Sequence, residues 1–169
     1  ANYLPHSLVL LDAGDLSVKR VIPAVALRGG ATSRVSAVYD ARPRRSFVVA
    51  MKDIPEVWEV SYDDDAPPVY TGLVHNYQKG MVEGLASSAG LFALRRIAVD
   101  EPLDDFMFDP PYRSLLGSAR EGGKTVVVNL TVGRPVATVA LEGLPHLGSG
   151  ITWMRGGRLL LATPHLNRP

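Results

Sequence analysis

The sequence predicts an all-β chain, part of a β-propeller, on three observations. Short apolar runs of four to seven residues, many of them alternating with period two, recur along all 169 residues, from "SLVLLD" and "SVKRVI" to "GITWM" and "RLLLAT". Turn signals such as "DAGD", "ARPR", "KDIP", "DPPY", "EGGK" and "MRGG" separate them, and helical periodicity sustained over three turns is absent. The third observation is a repeat of two strands and a turn in phase, which favours a propeller over a sandwich or a closed barrel.

The repeat is marked by arginines. Arg45 leads "SFVVAMK", Arg113 leads "SLLGSAR" and Arg158 leads "LLLATPH", each after a turn and an earlier strand. Arg113 and Arg158 lie 45 positions apart, a spacing that suits a four-stranded blade. Arg45 and Arg113 lie 68 apart, and Val57 of "VWEVSY" matches Thr125 of "TVVVNL" at the same offset. The surplus falls in the irregular segment 63–88, which is expected to be an insertion within one blade. Residues 7–12 and 17–22 look like the last two strands of one blade, and 149–154 and 158–163 like the first two of another, with two whole blades between. The expected organisation is therefore one domain over 1–169, a partial propeller of about three blades. A propeller of roughly four to eight blades needs more chain than this to close, so a larger protein is expected. Open blade edges offer a route to self-association.

Composition narrows the function classes. The apolar fraction of 46% and charged fraction of 21% describe a globular chain. Net charge is +1, so no global basic field argues for nucleic acid. No apolar run approaches the ~18 residues of a membrane helix. The opening "ANYLPHSLVLLD" has neither a basic lead nor a small-residue cleavage site, so it does not read as a signal peptide. There is no cysteine, which excludes disulfides, thiolate metal sites and covalent c-type haem attachment within the chain.

Blade grammar then places the polar residues. In a four-stranded antiparallel blade, the loop leading into strand 1 and the turn joining strands 2 and 3 share one face. The loops into strand 1 carry Arg34, the pair Asp104 and Asp105, and His146; the strand 2–3 turns carry Lys52, Arg120 and His165. Two histidines, three cations and two carboxylates thus gather on one rim. A cation-weighted rim suits a ligand bearing several carboxylates, which arginine can grip bidentately; solvated turn residues are the plainer reading of Lys52, Arg120, Asp104 and Asp105 taken singly. His146 is the strongest candidate. It follows Pro145 and precedes Gly148, Ser149 and Gly150, small residues that let backbone or ligand come close. Neutral imidazole there could ligate a haem iron or act as a base; a histidine bonded inside a tight inter-blade turn is the alternative. His165 in "TPHLN" ranks second, His75 in the insertion reads as surface, and His6 in "LPHS" carries little weight. Walker, dinucleotide-binding, HExxH and nucleophile-elbow motifs are absent. Asn129 opens an Asn-x-Thr sequon in an expected inner strand, Asp63, Asp64 and Asp65 read as loop, and Trp58 and Trp153 as core.

The order of these pieces resembles the haem d1 propeller family, which includes the C-terminal domain of cytochrome cd1 nitrite reductase and the NirF- and NirN-type haem d1 biosynthesis proteins. The resemblance runs across most of the chain and is carried by "NYLPHSLVLLDAGDLSVKRV", "SRVSAVYDARPRRSFVVAMKDIPEVWEVSY", "PHLGSGITW" and "RLLLATPH", of which "PHLGSG" and "ATPHL" are the specific parts. "LDDFMFD", "GLVHNYQKG" and "PHLGSGITW" are closer to the biosynthetic members than to the reductase. The histidine pair of the nitrite-reducing members is missing from the loops before Val35 and around Leu103, which counts against nitrite reduction. The resemblance implies an eight-bladed propeller, a periplasmic location and haem d1 or dihydro-haem d1 as the bound tetrapyrrole, its iron ligand coming from outside this chain. It implies a role in late side-chain oxidation during haem d1 biosynthesis for denitrification, an oxidoreductase step, with His146 as proton acceptor. Arg34, Lys52 and Arg120, with Gly148, Ser149 and His165, would hold the ligand. A carrier that binds without chemistry, or the haem d1 domain of a nitrite reductase, is the alternative. The partner implied is a nitrite reductase or an electron-accepting cytochrome.

Overall fold

In a computed structural model, residues 1–71, 85–141 and 143–165 are described. They form fourteen strands: β1 (Ser7–Leu11), β2 (Val18–Pro23), β3 (Val35–Ala41), β4 (Ser46–Met51), β5 (Glu56–Ser61), β6 (Val69–Thr71), β7 (Leu85–Ser88), β8 (Leu94–Ala98), β9 (Leu103–Phe108), β10 (Ser114–Ala119), β11 (Lys124–Asn129), β12 (Arg134–Ala140), β13 (Ile151–Arg155) and β14 (Arg158–Ala162). Two single turns of 3-10 helix, Arg42–Arg44 and Leu147–Ser149, are the only helical elements among the described residues. All strand pairs are antiparallel, and the architecture is that of propeller blades.

Two four-stranded sheets are whole blades, β3-β4-β5-β8 and β9-β10-β11-β12. They are related by the offset read from the repeat: Val35 pairs with Met51 in the first, and Leu103 with Ala119 in the second. The ribbons β1-β2 and β13-β14 flank them as two-stranded pieces. Between β5 and β8 the chain leaves the sheet and carries the small ribbon β6-β7, within the expected insertion 63–88. His75 lies outside the described residues.

The first blade is covered on both faces, which explains the continuous apolar runs of its middle strands. Val48, Ala50, Val57 and Ile97 point toward the second blade, where Leu103, Phe106, Leu115, Val126 and Val128 meet them. Val49, Met51, Trp58 and Val60 point the other way, onto Leu8, Leu10 and Ile22 of the β1-β2 ribbon. Trp58 is fully buried, and its indole N–H donates to Glu56 at 2.7 Å.

One expectation needs correction here. Trp153 is 42% exposed, as are its neighbours Ile151, Met154 and Leu159 to a greater degree, because β13-β14 has no further strands packed on it among the described residues. Asn129 is the last residue of β11, an inner strand of its blade as expected, and its Oδ1 accepts from the amides of Thr131 and Val132, both at 2.9 Å. That side-chain turn leads the chain into β12.

Candidate functional site

The first strands of successive blades lie side by side, β3 against β9 and β9 against the Leu147–Ser149 turn, so their polar residues converge. Asp105 of β9 is the hub. Its side chain is 10% exposed. Oδ1 accepts from the Tyr39 hydroxyl of β3 at 2.9 Å, and Oδ2 accepts from the Gly148 amide at 2.6 Å. Three blades are therefore tied through one carboxylate. Burial, with the Asp105 hydrogen bond and charge behind it, pushes the Tyr39 phenol up to about 12, so it remains a donor through the physiological range.

His146 leads the same turn. Its ring Nδ1 lies 2.8 Å from Ser149 Oγ and 3.7 Å from Asp105 Oδ2. Its backbone amide donates to Pro164 O at 2.8 Å, and Pro145 bridges to His165, so the β13-β14 ribbon and the His146 loop are fixed together. The ring is 41% exposed, and no hydrogen bond to Nε2 is found among the described residues.

The small residues after His146 have a different reason from the one expected. A Cβ on Gly148 would lie 2.1 Å from the Tyr39 hydroxyl oxygen and 2.7 Å from Asp105 Oδ1. A Cβ on Gly150 would lie 2.9 Å from Leu147 O and 3.0 Å from Met107 Sδ. The backbone is thinned so that the protein's own side chains can close on it. Beside this turn runs a groove of about 290 Å³ lined by Tyr39, Phe106, Phe108, Tyr112 and Thr152. Its rings stack edge to face, Tyr39 on Phe106 at 4.8 Å and Phe106 on Phe108 at 5.4 Å.

The cations share the rim, but each has a resident carboxylate. Arg34 grips Asp53 in a fork, Nε to Oδ2 at 2.8 Å and Nη2 to Oδ1 at 2.6 Å. Arg120 reaches back from the next blade to the same Asp53 Oδ1 and to Lys52 O, both at 2.8 Å. The Lys52 ammonium pairs with Asp104 at 3.0 Å. The Arg34 hydrogen bonds hold the Asp53 carboxyl far below the usual carboxylate range, against the opposing effect of burial, with Arg120 contributing less. With Asp53 counted, the rim is balanced rather than cation-weighted: Arg34 and Arg120 share Asp53, Lys52 pairs with Asp104, and Asp105 stands beside His146.

His165 is exposed on the same face, its ring 3.1 Å from where a Gly143 Cβ would stand. His6 Nδ1 lies 3.0 Å from Thr32 Oγ1, in the loop that carries Arg34. Among the described residues no cluster of three or more His, Asp or Glu forms a metal site. Sequence reasoning missed Tyr39 and Asp53. Asp53 carried a signal, since the pair Lys52-Asp53 recurs 68 positions later as Arg120-Glu121. Tyr39 carried none, because its role depends on which blade packs beside it.

Comparison with known proteins agrees with the fold. Residues 1–79 match the family described as the Cytochrome D1 heme domain. The chain is 48% identical over 167 residues to the dihydro-heme d1 dehydrogenase of Pseudomonas aeruginosa, an alignment covering 99% of this chain and 29% of that protein. It superposes with a TM-score of 0.77 and 47% identity on the solved structure of the dihydro-heme d1 dehydrogenase NirN in complex with DHE, over 99% of this chain and 30% of that one. It therefore spans less than a third of the length of these relatives. The chain is thus similar, in sequence and in fold, to part of these dihydro-heme d1 dehydrogenases, and its residues 1–79 to the Cytochrome D1 heme domain.

Proposed function

We propose that this chain supplies part of the propeller of a haem d1 biosynthesis protein, with dihydro-haem d1 as its substrate and the late oxidation of a substrate side chain as its reaction. The observation that carries the reading is the 48% identity to a dihydro-heme d1 dehydrogenase across 99% of the chain. Desaturating a saturated side chain removes two protons and two electrons. The electrons leave to an external acceptor of the cytochrome class, and the iron ligand belongs to chain beyond these residues.

The rim residues fit the remaining tasks. His146 presents a half-exposed imidazole whose Nε2 can take a proton. Arg34 and Arg120, about a third exposed, use only part of their five N–H donors on Asp53 and keep others for the substrate's carboxylates. Tyr39, Phe108 and Tyr112, which line the groove beside the turn, offer apolar contact to part of a macrocycle. Gly148 lines this groove, and Lys52, Ser149 and His165 would hold the substrate from the rim. A periplasmic setting and a nitrite reductase or cytochrome as partner belong to the same proposal.

An absorption titration of the chain with dihydro-haem d1 tests it, followed by addition of an oxidant. Saturable binding that His146→Ala leaves largely intact, with a spectral conversion that His146→Ala slows at least about tenfold, supports a proton-accepting His146. A bound spectrum that never changes under oxidant would make the chain a carrier. Failure to bind, both by the chain and by a longer form with the flanking blades, would sink the tetrapyrrole reading.

A further inference from the structure

We propose that Asp105 is a positioning residue for His146, holding the ring in its Nδ1–H tautomer so that Nε2 is the basic nitrogen turned to the rim. The inference rests on the reading of His146 as proton acceptor and adds the residue that makes one of its two nitrogens the acceptor.

The tautomer of a neutral histidine is set by what its other nitrogen meets. Here Nδ1 meets two oxygens, Ser149 Oγ at 2.8 Å and Asp105 Oδ2 at 3.7 Å. The serine hydroxyl is ambiguous, since it can either donate or accept. Asp105 is not. Both its oxygens already act as acceptors, toward the Tyr39 hydroxyl and the Gly148 amide, so the group meets the ring as negative charge. A carboxylate at 3.7 Å attracts an N–H at Nδ1 and repels a lone pair there. Ser149 then accepts from Nδ1–H, and Nε2 carries the free pair.

The arrangement is also rigid. Asp105 lies on β9, inside the blade interface, with a side chain only 10% exposed. The Tyr39 bond anchors it from the preceding blade, and the Gly148 amide fixes the turn three residues or fewer from His146. Because Gly148 has no Cβ, the carboxylate reaches that amide directly. Ser149, by contrast, is exposed and belongs to the loop it would have to orient.

The test reads the tautomer rather than the activity. Nitrogen-15 correlation spectra of the ligand-free chain report the protonated nitrogen of each histidine ring, and the His146 signals are those missing from His146→Ala. The expected result is protonated Nδ1 and unprotonated Nε2 in the wild type. Asp105→Asn, which keeps the size and one acceptor for Gly148, is expected to lose the single-tautomer spectrum and show both forms. Ser149→Ala is expected to keep protonated Nδ1, and this exposed variant decides the question even where Asp105→Asn does not fold. A His146 ring that changes tautomer in Ser149→Ala, or one that is unchanged in a folded Asp105→Asn, overturns the proposal. Since no ligand enters these spectra, failure of dihydro-haem d1 to bind would strike the functional reading alone.

Discussion

Gly148→Ala is the perturbation whose cost the structure fixes best. The new Cβ would stand 2.1 Å from the Tyr39 hydroxyl oxygen and 2.7 and 2.9 Å from the two Asp105 oxygens. Ordinary contact begins near 3.4 Å, so the tyrosine oxygen must retreat by more than an ångström. It has little room, because its ring is packed edge-on against the fully buried Phe106 at 4.8 Å. Overpacking of this kind costs about 1–3 kcal/mol. Moving the turn instead breaks the Gly148 amide bond to a carboxylate, worth about 1.5–3 kcal/mol. Gly148 is not in the left-handed region, so alanine carries no backbone strain, and the stiffer unfolded chain returns about 0.4–1 kcal/mol. The net expectation is a loss of about 0.5–2.5 kcal/mol.

The steric origin gives a sharper test than the total. Tyr39→Phe removes the oxygen that stands at 2.1 Å, so Gly148→Ala should cost less in that background. A double-mutant cycle by urea unfolding, with slopes unchanged across the four proteins, is expected to show a coupling of at least about 1 kcal/mol. A Gly148→Ala cost under about 0.5 kcal/mol, or costs that add within about 0.3 kcal/mol, would show that the turn yields freely. The three-blade link through Asp105 would then not be rigid.

Two further outcomes follow from the ion pairs. Asp53 titrates lower in the folded state than its unfolded value of about 3.9, so its stabilisation is fully present above that value and lost as pH falls toward the folded one. The stability gap between wild type and Asp53→Asn should hold steady from about pH 7 to 5 and narrow below about pH 4, as urea unfolding across that range would reveal; a gap unchanged down to about pH 3 would contradict the assignment. On the opposite face, Glu59 is 9% exposed and accepts from Arg44 at 2.7 Å and from Ser46 at 2.9 Å, while Arg44 and Arg95 also donate to Leu130 O of the second blade. Glu59→Ala would leave two guanidinium groups at the blade interface without their carboxylate, and a fall in Tm on the order of 10 °C is expected by calorimetry, where a change under about 3 °C would refute it.

The blades were legible because each strand must bury one or both faces, and that requirement writes a period into the sequence. "SFVVAM" and "EVWEV" read as continuous apolar runs, and the structure shows why: Val48 and Val49 enter different cores. Turn chemistry and the 68-residue offset then placed Arg34, Lys52, Arg120, Asp105 and His146 on one rim with no knowledge of packing. Trp153 was misjudged for a related reason. Alternation says which way a side chain points, but burial depends on a neighbouring strand, and β13-β14 has none among the described residues. Gly148 looked like room for a ligand because a sequence shows only that a side chain is missing. What fills the space is Tyr39, more than a hundred positions earlier.

That long reach follows from the way blades are stacked. Strand β9 lies between β3 and the Leu147–Ser149 turn, and its carboxylates find partners across both blade boundaries. Strand β9 shows the consequence in two adjacent residues: Asp104 answers Lys52 of the preceding blade, and Asp105 answers Tyr39 behind and Gly148 ahead. The preceding boundary is closed a second time by Arg120, which donates to both Asp53 and the Lys52 carbonyl. Hydrogen bonds of this charged kind are stronger than neutral ones and lose most when a single partner is removed. The orientation of His146 is therefore not a property of its own loop. It is inherited from the angle at which three blades meet, so substitutions at Tyr39 or Asp105 should disturb the imidazole as much as changes to the loop that carries it.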